Sequence, residues 1–448
     1  MPTLALPPAT EPAILPGFDE SVLETARAGE PALLQAKRTA AFEACCHILN
    51  PEAFHEEYRR MDPRKFRFGN FTRLEIPHET IAYNAQPVDE HYDVVISVTP
   101  EGIAMEDRED VTGGKAGGKV RVRTLQQAAI EDTGLIEQSL GTAIESEEPR
   151  KFFELNGAFW NVGFHIHVGK DAVLPKGILL RYHNDRPGTA LLPRLLVTAE
   201  TGAQFALAEQ YTSPEGVETL CIGAREFHLA PNADVKLVSL QDWGSEGIHI
   251  GEDWARVQRD AKVDLFSMTL GGKVSKMTVG CDVCEANANA YLGGLFFANE
   301  KQHFDQKTLQ FHSAPNTYSN MLYKGAVKDK GYSVYQGIIR ALKDCVGVDA
   351  YQTNNNLVLD PGSRADSIPG LIIDADELAC SHGATMGNLD PEQMYYLRSR
   401  GISEAEARRM LVLGFFEEVI ERVPFEVMRD RLHEVIEEKL NPFAKEQG

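Results

Sequence analysis

Within "LACSHGATMGNL" (residues 378–389) a thiol, Cys380, and an imidazole, His382, stand two residues apart. Both side chains are good ligands for soft or borderline metals. Positions i and i+2 of a β-strand project to one face, so a strand here would present the two groups side by side. No further ligand follows at once; the next residues are Gly383 and Ala384. Taken alone, the pair is half of a metal site, half of a catalytic pair, or a core cysteine beside a surface histidine.

Other residues invite the same question. "CDVC" supplies Cys281 and Cys284, two of the four ligands a structural zinc site needs. No second pair stands at zinc-ribbon spacing, so these thiols read as packing. "FHIHV" sets His165 and His167 on one strand face, as a metal pair or a solvated face. "KQHFDQKTLQFHSAP" contributes His303, Asp305 and His312, which suit an acid–base or ligand cluster and equally a polar loop network. "GGKAGGKV" puts Gly113, Gly118 and Lys119 at the spacing of a phosphate-binding loop. Val120 stands where the magnesium-binding hydroxyl belongs, and the segment reads as a flexible loop. The sequence holds no nucleophile elbow, HExxH, dinucleotide fingerprint or kinase signature. The expectation is a protein that is not an enzyme.

The elements that must position these groups change character along the 448 residues. Residues 1–160 read as a mostly helical N-terminal domain with a loose, Pro-rich tail: helical spacing runs from Asp19 to about Met61 and again near Leu125–Leu140, with one strand at 92–98 between them. From 161 to 385 short strands succeed one another without a long amphipathic helix. Four segments share a form: "GAQFAL" (202–207), "NADVKL" (232–237), "DAKVDL" (260–265) and "NANAYL" (287–292). Such a repeat is the signature of a β-solenoid, each coil burying its inner face against the next. "VYQGII" (334–339) and "AYQTNN" (350–355) echo one another, and the amides of "QTNNNL" suit a coil corner. Residues 386–448 return to helix. Asp390–Pro391 and Ser403 with Glu406 are helix starts. Ala407, Met410, Leu411, Phe415 and Val419 form one apolar stripe, and Leu413, Phe416 and Ile420 a second. An arc that wide asks for contacts on two sides.

The chain carries 66 acidic and 45 basic residues, a formal charge of −21. With no Lys/Arg block, nucleic acid and anionic membranes are poor partners. Seven cysteines without framework spacing suit a reducing compartment. No signal-peptide pattern or apolar run of transmembrane length is present, and the expected location is cytoplasmic.

From about Ala261 to Val423 the sequence resembles the SufB/SufD family of iron–sulfur cluster assembly scaffolds. The motifs are "TLGGKVSKMTV", "QHFDQKTLQFHSAPNTYSNMLYKG", "YQGIIR", "AYQTNNNLVLD", "ACSHGATMGNLDPEQMYYLRSRGI" and "EARRMLVLGFFEEVI", in the family's order. The CSHGAT form is more similar to SufD than to SufB, and Asn354 stands where SufB has a cysteine. The resemblance implies a right-handed parallel β-helix core flanked by helical regions. It implies a non-catalytic scaffold that pairs with a SufB-like subunit through the β-helix and with the ATPase SufC through the C-terminal helices. It implies only a transient iron or iron–sulfur cluster at the subunit interface. His382 matches the SufD histidine placed there, with Cys380 beside it. Met410, Leu411, Phe415 and Phe416 are the residues expected on the SufC side. Alternatives are a homodimeric scaffold acting without SufB and a β-helix polysaccharide-active enzyme.

Overall fold

The four repeats fall at equivalent places in successive coils. Their first residues, Gly202, Asn232, Asp260 and Asn287, all take positive φ, from 58° to 73°. Only Gly, Asn and Asp enter that region cheaply, so the repeat's first position is a turn requirement. The Ala that follows is buried at each turn (Ala203, Ala233, Ala261, Ala288). The fourth and sixth positions then stack in register: Phe205, Val235, Val263 and Ala290 in one column, and Leu207, Leu237, Leu265 and Leu292 in the next. These residues belong to one continuous interior core. The chain is a parallel β-solenoid, as the repeat predicts.

The computed structural model describes residues 14–48, 50, 58–77, 80–108, 111–112, 119–143 and 150–440. Strands alternate between two sheets, of eleven and ten strands. From Pro193 onward each parallel strand pairs with the strand two places on: Val274–Val283 lies between Ile248–Val257 and His303–His312 in the first sheet, and Asn289–Ala298 lies between Lys262–Thr269 and Tyr318–Val327 in the second. The "VYQGII" and "AYQTNN" segments are therefore the two sheets of a single coil, Tyr332–Ala341 and Asp349–Val358, not successive coils. The amides of "QTNNNL" lie within a strand and not at a corner. Asn354 does bridge coils, donating to the Tyr323 carbonyl at 3.2 Å.

The described residues of the N-terminal region hold more strand than expected. Helices α1 (Glu20–Arg27) and α2 (Ala32–His47) are separated at Gly29–Pro31, and α2 ends at His47. Val94–Thr99 and Val120–Thr124 join the solenoid sheets, pairing with Ile178–His183 and Val162–Val168. The described residues before 160 therefore include strands of the solenoid sheets: Val94, Val95 and Ile96 are buried consecutively, which suits a strand covered on both faces. Helices α3 (Leu125–Glu131), α4 (Thr133–Ser139) and α5 (Lys151–Phe159) follow. Phe152, Leu155 and Phe159 of α5 pack with α1 and α2 on the outer face of the first sheet, over Leu220, Ile222, Ile248 and Ile250.

The last strand, Ala379–Gly387, runs past the boundary expected at 385. Helices α6 (Pro391–Ser399), α7 (Glu404–Ile420) and α8 (Glu426–Leu440) come next. Asp390 caps α6 by accepting from the Glu392 amide, and Ser403 caps α7 by accepting from the Glu406 amide at 3.2 Å. The Glu406 carboxylate pairs with Arg409. Helices α7 and α8 cover the outer face of the second sheet: Val412, Phe416, Val419, Leu432 and Ile436 meet Phe266, Leu295 and Phe297.

Candidate functional site

Cys380 and His382 sit in the last strand of the second sheet, aligned with Ala350 and Gln352 of the preceding coil. Both columns run back through the whole core. Beneath Cys380 come Ala350, Ser319, Ala290, Val263, Val235 and Phe205; beneath His382 come Gln352, Met321, Leu292, Leu265, Leu237 and Leu207. The pair therefore occupies the inward positions of the final coil. The i, i+2 spacing places both side chains on one face, as expected.

Among the described residues no further strand covers this coil: Arg364–Ile373 and Ala379–Gly387 are the end strands of the two sheets. Inward positions that are sealed in earlier coils open to solvent here. Leu371 and Ile373 align with the buried Ile339 and Ala341, yet each is 37% exposed, and Met386 is 54% exposed. His382 is exposed and Cys380 half-buried. Burial, with Asp349 nearby, raises the Cys380 thiol above its ordinary range. Cys380 packs with Cys345, Val348 and Ala350. Across the coil, polar residues replace the hydrophobic interior, with Gln352, Asn354 and Asn356 all buried. This end of the solenoid is an open cup with an amide floor and a thiol and an imidazole on its rim.

The other candidate ligands do not converge. Cys281 is an interior residue of Val274–Val283 whose thiol burial pushes up, while Cys284, past the strand end, donates to the Val257 carbonyl at 3.3 Å and is pushed up to about 11. Both are packed, protonated thiols. His303 and Asp305 face outward and His312 inward on the same strand. Lys65 donates to His303 Nδ1 at 2.7 Å, whereas His312 bonds the hydroxyls of Thr317 and Ser319. Burial lowers His303 to about 3 and His312 to about 4. His165 and His167 share one partner, the Thr198 hydroxyl, at 2.9 Å each. Arg123 contacts His165 Nδ1 at 3.1 Å and has only protons to give. The neutral His165 ring, held near 3 by burial, therefore donates from Nε2 to Thr198. Thr198 in turn donates to His167 Nδ1, which leaves His167 Nε2 carrying its proton toward Glu200. That fixed direction closes His167 to a metal. Among the described residues, no three His, Cys, Asp or Glu side chains group as a metal site. Gly113 and Gly118 lie outside the described residues; Lys119 donates to the Lys170 carbonyl at 2.9 Å.

The C-terminal face corrects one expectation. Phe416 is fully buried against Phe297, with ring centres 6.3 Å apart, so it is core and not partner surface. The reason is geometric: the home face of α7 is Ala407, Val412, Phe416, Val419 and Ile420, which draws on both predicted stripes. Phe415 is half-buried, its carbonyl accepting from Lys324 at 2.8 Å, and Met410 is 43% exposed. Leu411 lines a hollow of about 910 Å³ against α6 with Tyr395, Tyr396 and Leu397. No residue of α6 is buried; Tyr395 is 76% and Tyr396 57% exposed. These two tyrosines were not singled out in the sequence. The signal was present in "MYYLRS", a short helix with adjacent tyrosines that cannot share one buried face.

A family model described as SUF system FeS cluster assembly, SufBD core domain, matches residues 181–415. An iron–sulfur cluster assembly SufBD family protein of Mycobacterium leprae is 31% identical over 335 residues, 72% of this chain and 84% of that protein. The chain belongs to the SufBD family. A SufBD family protein of Mycobacterium bovis is 38% identical over 223 residues, 48% of this chain; the match spans 56% of that relative's length. One from Staphylococcus saprophyticus is 28% identical over 300 residues, 67% of this chain and 64% of that protein. The matched core runs from the early coils through the cup to α7. Among the described residues, no helix of this SufBD chain is long and apolar enough to cross a membrane.

Proposed function

We propose that this SufBD protein is a non-catalytic scaffold of the SufD type. It pairs through its last coil with a SufB-like subunit, and iron and sulfide assemble into a transient cluster between the two. The observation that carries this reading is the uncapped cup. An unpaired strand edge and exposed apolar side chains are a liability in a free chain and a template for a partner strand. A thiol and an imidazole on that edge suit iron and sulfur chemistry, and a partner chain would add the missing ligands. Asn354 supports the assignment, because an amide there replaces the thiol of the SufB pattern. The exposed tyrosines of α6, with Met410 and Leu411, form the surface on which we place the SufC-like ATPase. A site divided between two subunits opens when they move, which gives nucleotide-driven motion a purpose.

Ile373→Lys tests the reading. Its side chain already meets solvent, so the chain should stay folded, while a cation at the cup should abolish co-purification with a co-expressed SufB-like subunit. A folded Ile373→Lys chain that still captures that subunit would place the interface elsewhere. The same exposed end favours a second reading, a homodimer closed cup to cup. Molar mass measured alone and with the SufB-like subunit separates the two: the heterodimer reading requires the second subunit to displace the second copy.

A further inference from the structure

Among the described residues the solenoid ends in two strand edges, and they are not equally able to accept another strand. Arg364–Ile373 ends the first sheet and Ala379–Gly387 the second, each paired residue by residue with the coil beneath. In a parallel ladder the N–H and C=O of one residue point to the same neighbour, and successive residues alternate between the two sides. The Arg364 and Asp374 amides donate to the Gly331 and Ala341 carbonyls beneath, at 3.0 Å each. Even-numbered residues of that strand therefore bond to the coil below, and Ala365, Ser367, Pro369, Leu371 and Ile373 turn their backbone groups to the open edge. In the second sheet the Ala379 amide donates to the Val348 carbonyl at 2.8 Å. That leaves Cys380, His382, Ala384 and Met386 facing the open edge.

Proline has no N–H to offer. Pro369 stands in the middle of the first edge, which is broken there, while the second edge is continuous. From Thr219 onward the strands of both sheets contain no other proline. The residue beneath, Gly337, turns its N–H to the coil above, and a proline there would delete a ladder bond. Charge indicates what fits the second edge. Asp374, Asp376 and Glu377 precede it, Asp390 and Glu392 follow it, and no Lys or Arg lies between 374 and 397. All five carboxylates are exposed. Two copies of this chain laid edge to edge bring like charges together in either strand direction, which is unfavourable. A strand flanked by Lys or Arg suits the same edge.

We propose that Pro369 guards the first edge, so that a partner adds its strand to the second edge alone, along Cys380, His382, Ala384 and Met386. The occupant is an extended segment of a different chain, flanked by basic residues. Its assignment to the SufB-like subunit rests on the function proposed above; the guarding of the first edge does not. An edge with all its amides free is a template for any extended chain, and a proline on it is a known way to blunt it. The guard decides which sheet the partner extends, and with it how the partner sits over the cup.

Hydrogen exchange of the intact chain, alone and with the co-expressed SufB-like subunit, reads both edges at once. Binding should slow exchange in peptides over 379–387 and leave those over 364–373 exchanging as in the free chain. Equal protection of the two edges overturns the assignment. Sedimentation velocity of the isolated chain tests the guard with no partner present. Pro369→Ala restores a donor at a position that makes no bond to the coil below, so the variant should fold and form larger, concentration-dependent species absent from the parent. A folded Pro369→Ala chain that sediments like the parent overturns the guard. Should that variant not fold, Ala384→Pro decides. It carries the defect to the second edge and should abolish capture of the SufB-like subunit, and undiminished capture overturns the proposal. A parent chain that captures no SufB-like subunit would remove the partner assignment and leave the sedimentation result to judge the guard.

Discussion

Truncating Phe416 should break the docking of the C-terminal helices on the solenoid, while truncating Met410, six residues earlier on α7, should not. Phe416 is fully buried between Phe297 and the α7–α8 core. A phenylalanine side chain removes about 150–200 Å² from water. At about 25 cal/mol per Å² that amounts to about 4–5 kcal/mol. Measured Phe→Ala losses of about 3–5 kcal/mol, which include the cavity left behind, agree with it. Met410 is 43% exposed and sits on the opposite side, so Met410→Ala should change stability by no more than about 0.5 kcal/mol. Urea unfolding followed by far-ultraviolet circular dichroism gives both values. Capture of a SufC-like ATPase by the two variants separates the roles, since Met410→Ala should weaken capture in a fully stable chain. A Phe416→Ala chain within about 1 kcal/mol of the parent would refute the assignment of that side chain to the core.

Acid should destabilise the fold before most carboxylates titrate. Burial holds His165 near 3, His303 near 3 and His312 near 4, against an ordinary 6.5. The unfolded chain takes up these protons below pH 6.5 and the folded one does not, so stability falls as pH drops toward 4. Each group contributes about 1.4 kcal/mol per pH unit in that window. Asp253, raised to about 6 by burial, works against one of the three, while His249, held well below its ordinary range by burial, adds in their direction, so a net loss of at least about 3 kcal/mol per unit near pH 5 is expected. Stability that stays flat from pH 6.5 to 4.5 would contradict it. Gly280→Ala should cost about 1–3 kcal/mol, because the Trp254 ring fills the space a Cβ needs; an unchanged melting midpoint would refute that packing. Cys380→Ala should leave most cluster formation intact, as a half-buried thiol in an apolar cluster is replaced by alanine more easily than a ligand is; a loss equal to that of His382→Ala would make the thiol a ligand in its own right.

The solenoid was legible because its constraint is local and repeated. A positive-φ residue, a small residue and two inward apolar positions recur in four successive coils, and a period-2 strand converts that spacing directly into columns. Cys380 and His382 occupy the fourth and sixth positions of the same pattern in the last coil, so their shared face could be read from spacing alone. Their openness could not, since it depends on there being no further coil above them among the described residues. Val94–Thr99 read as a strand, but its place in a solenoid sheet was hidden, as was the strand Val120–Thr124, for the opposite reason: their solenoid partners lie 40 to 84 residues later. On α7 the periodic pattern showed that two faces were apolar, but only the docked sheet decides that Phe416 lies inside and Met410 outside. The buried cluster of Arg225, Glu209 and Asp253 left no mark in the sequence, because its three residues come from three strands and meet only inside the coil.

If a cluster is built at the cup, His382 should be this chain's main contribution to it. The direct measurement is anaerobic reconstitution of the complete scaffold–ATPase complex carrying His382→Ala, with cluster content read by absorption and iron and sulfide analysis beside the parent. The variant should fold and assemble normally, since the side chain is exposed, and should yield far less cluster. A His382→Ala complex with the parent's cluster content would contradict it and make the motif a structural edge of the solenoid.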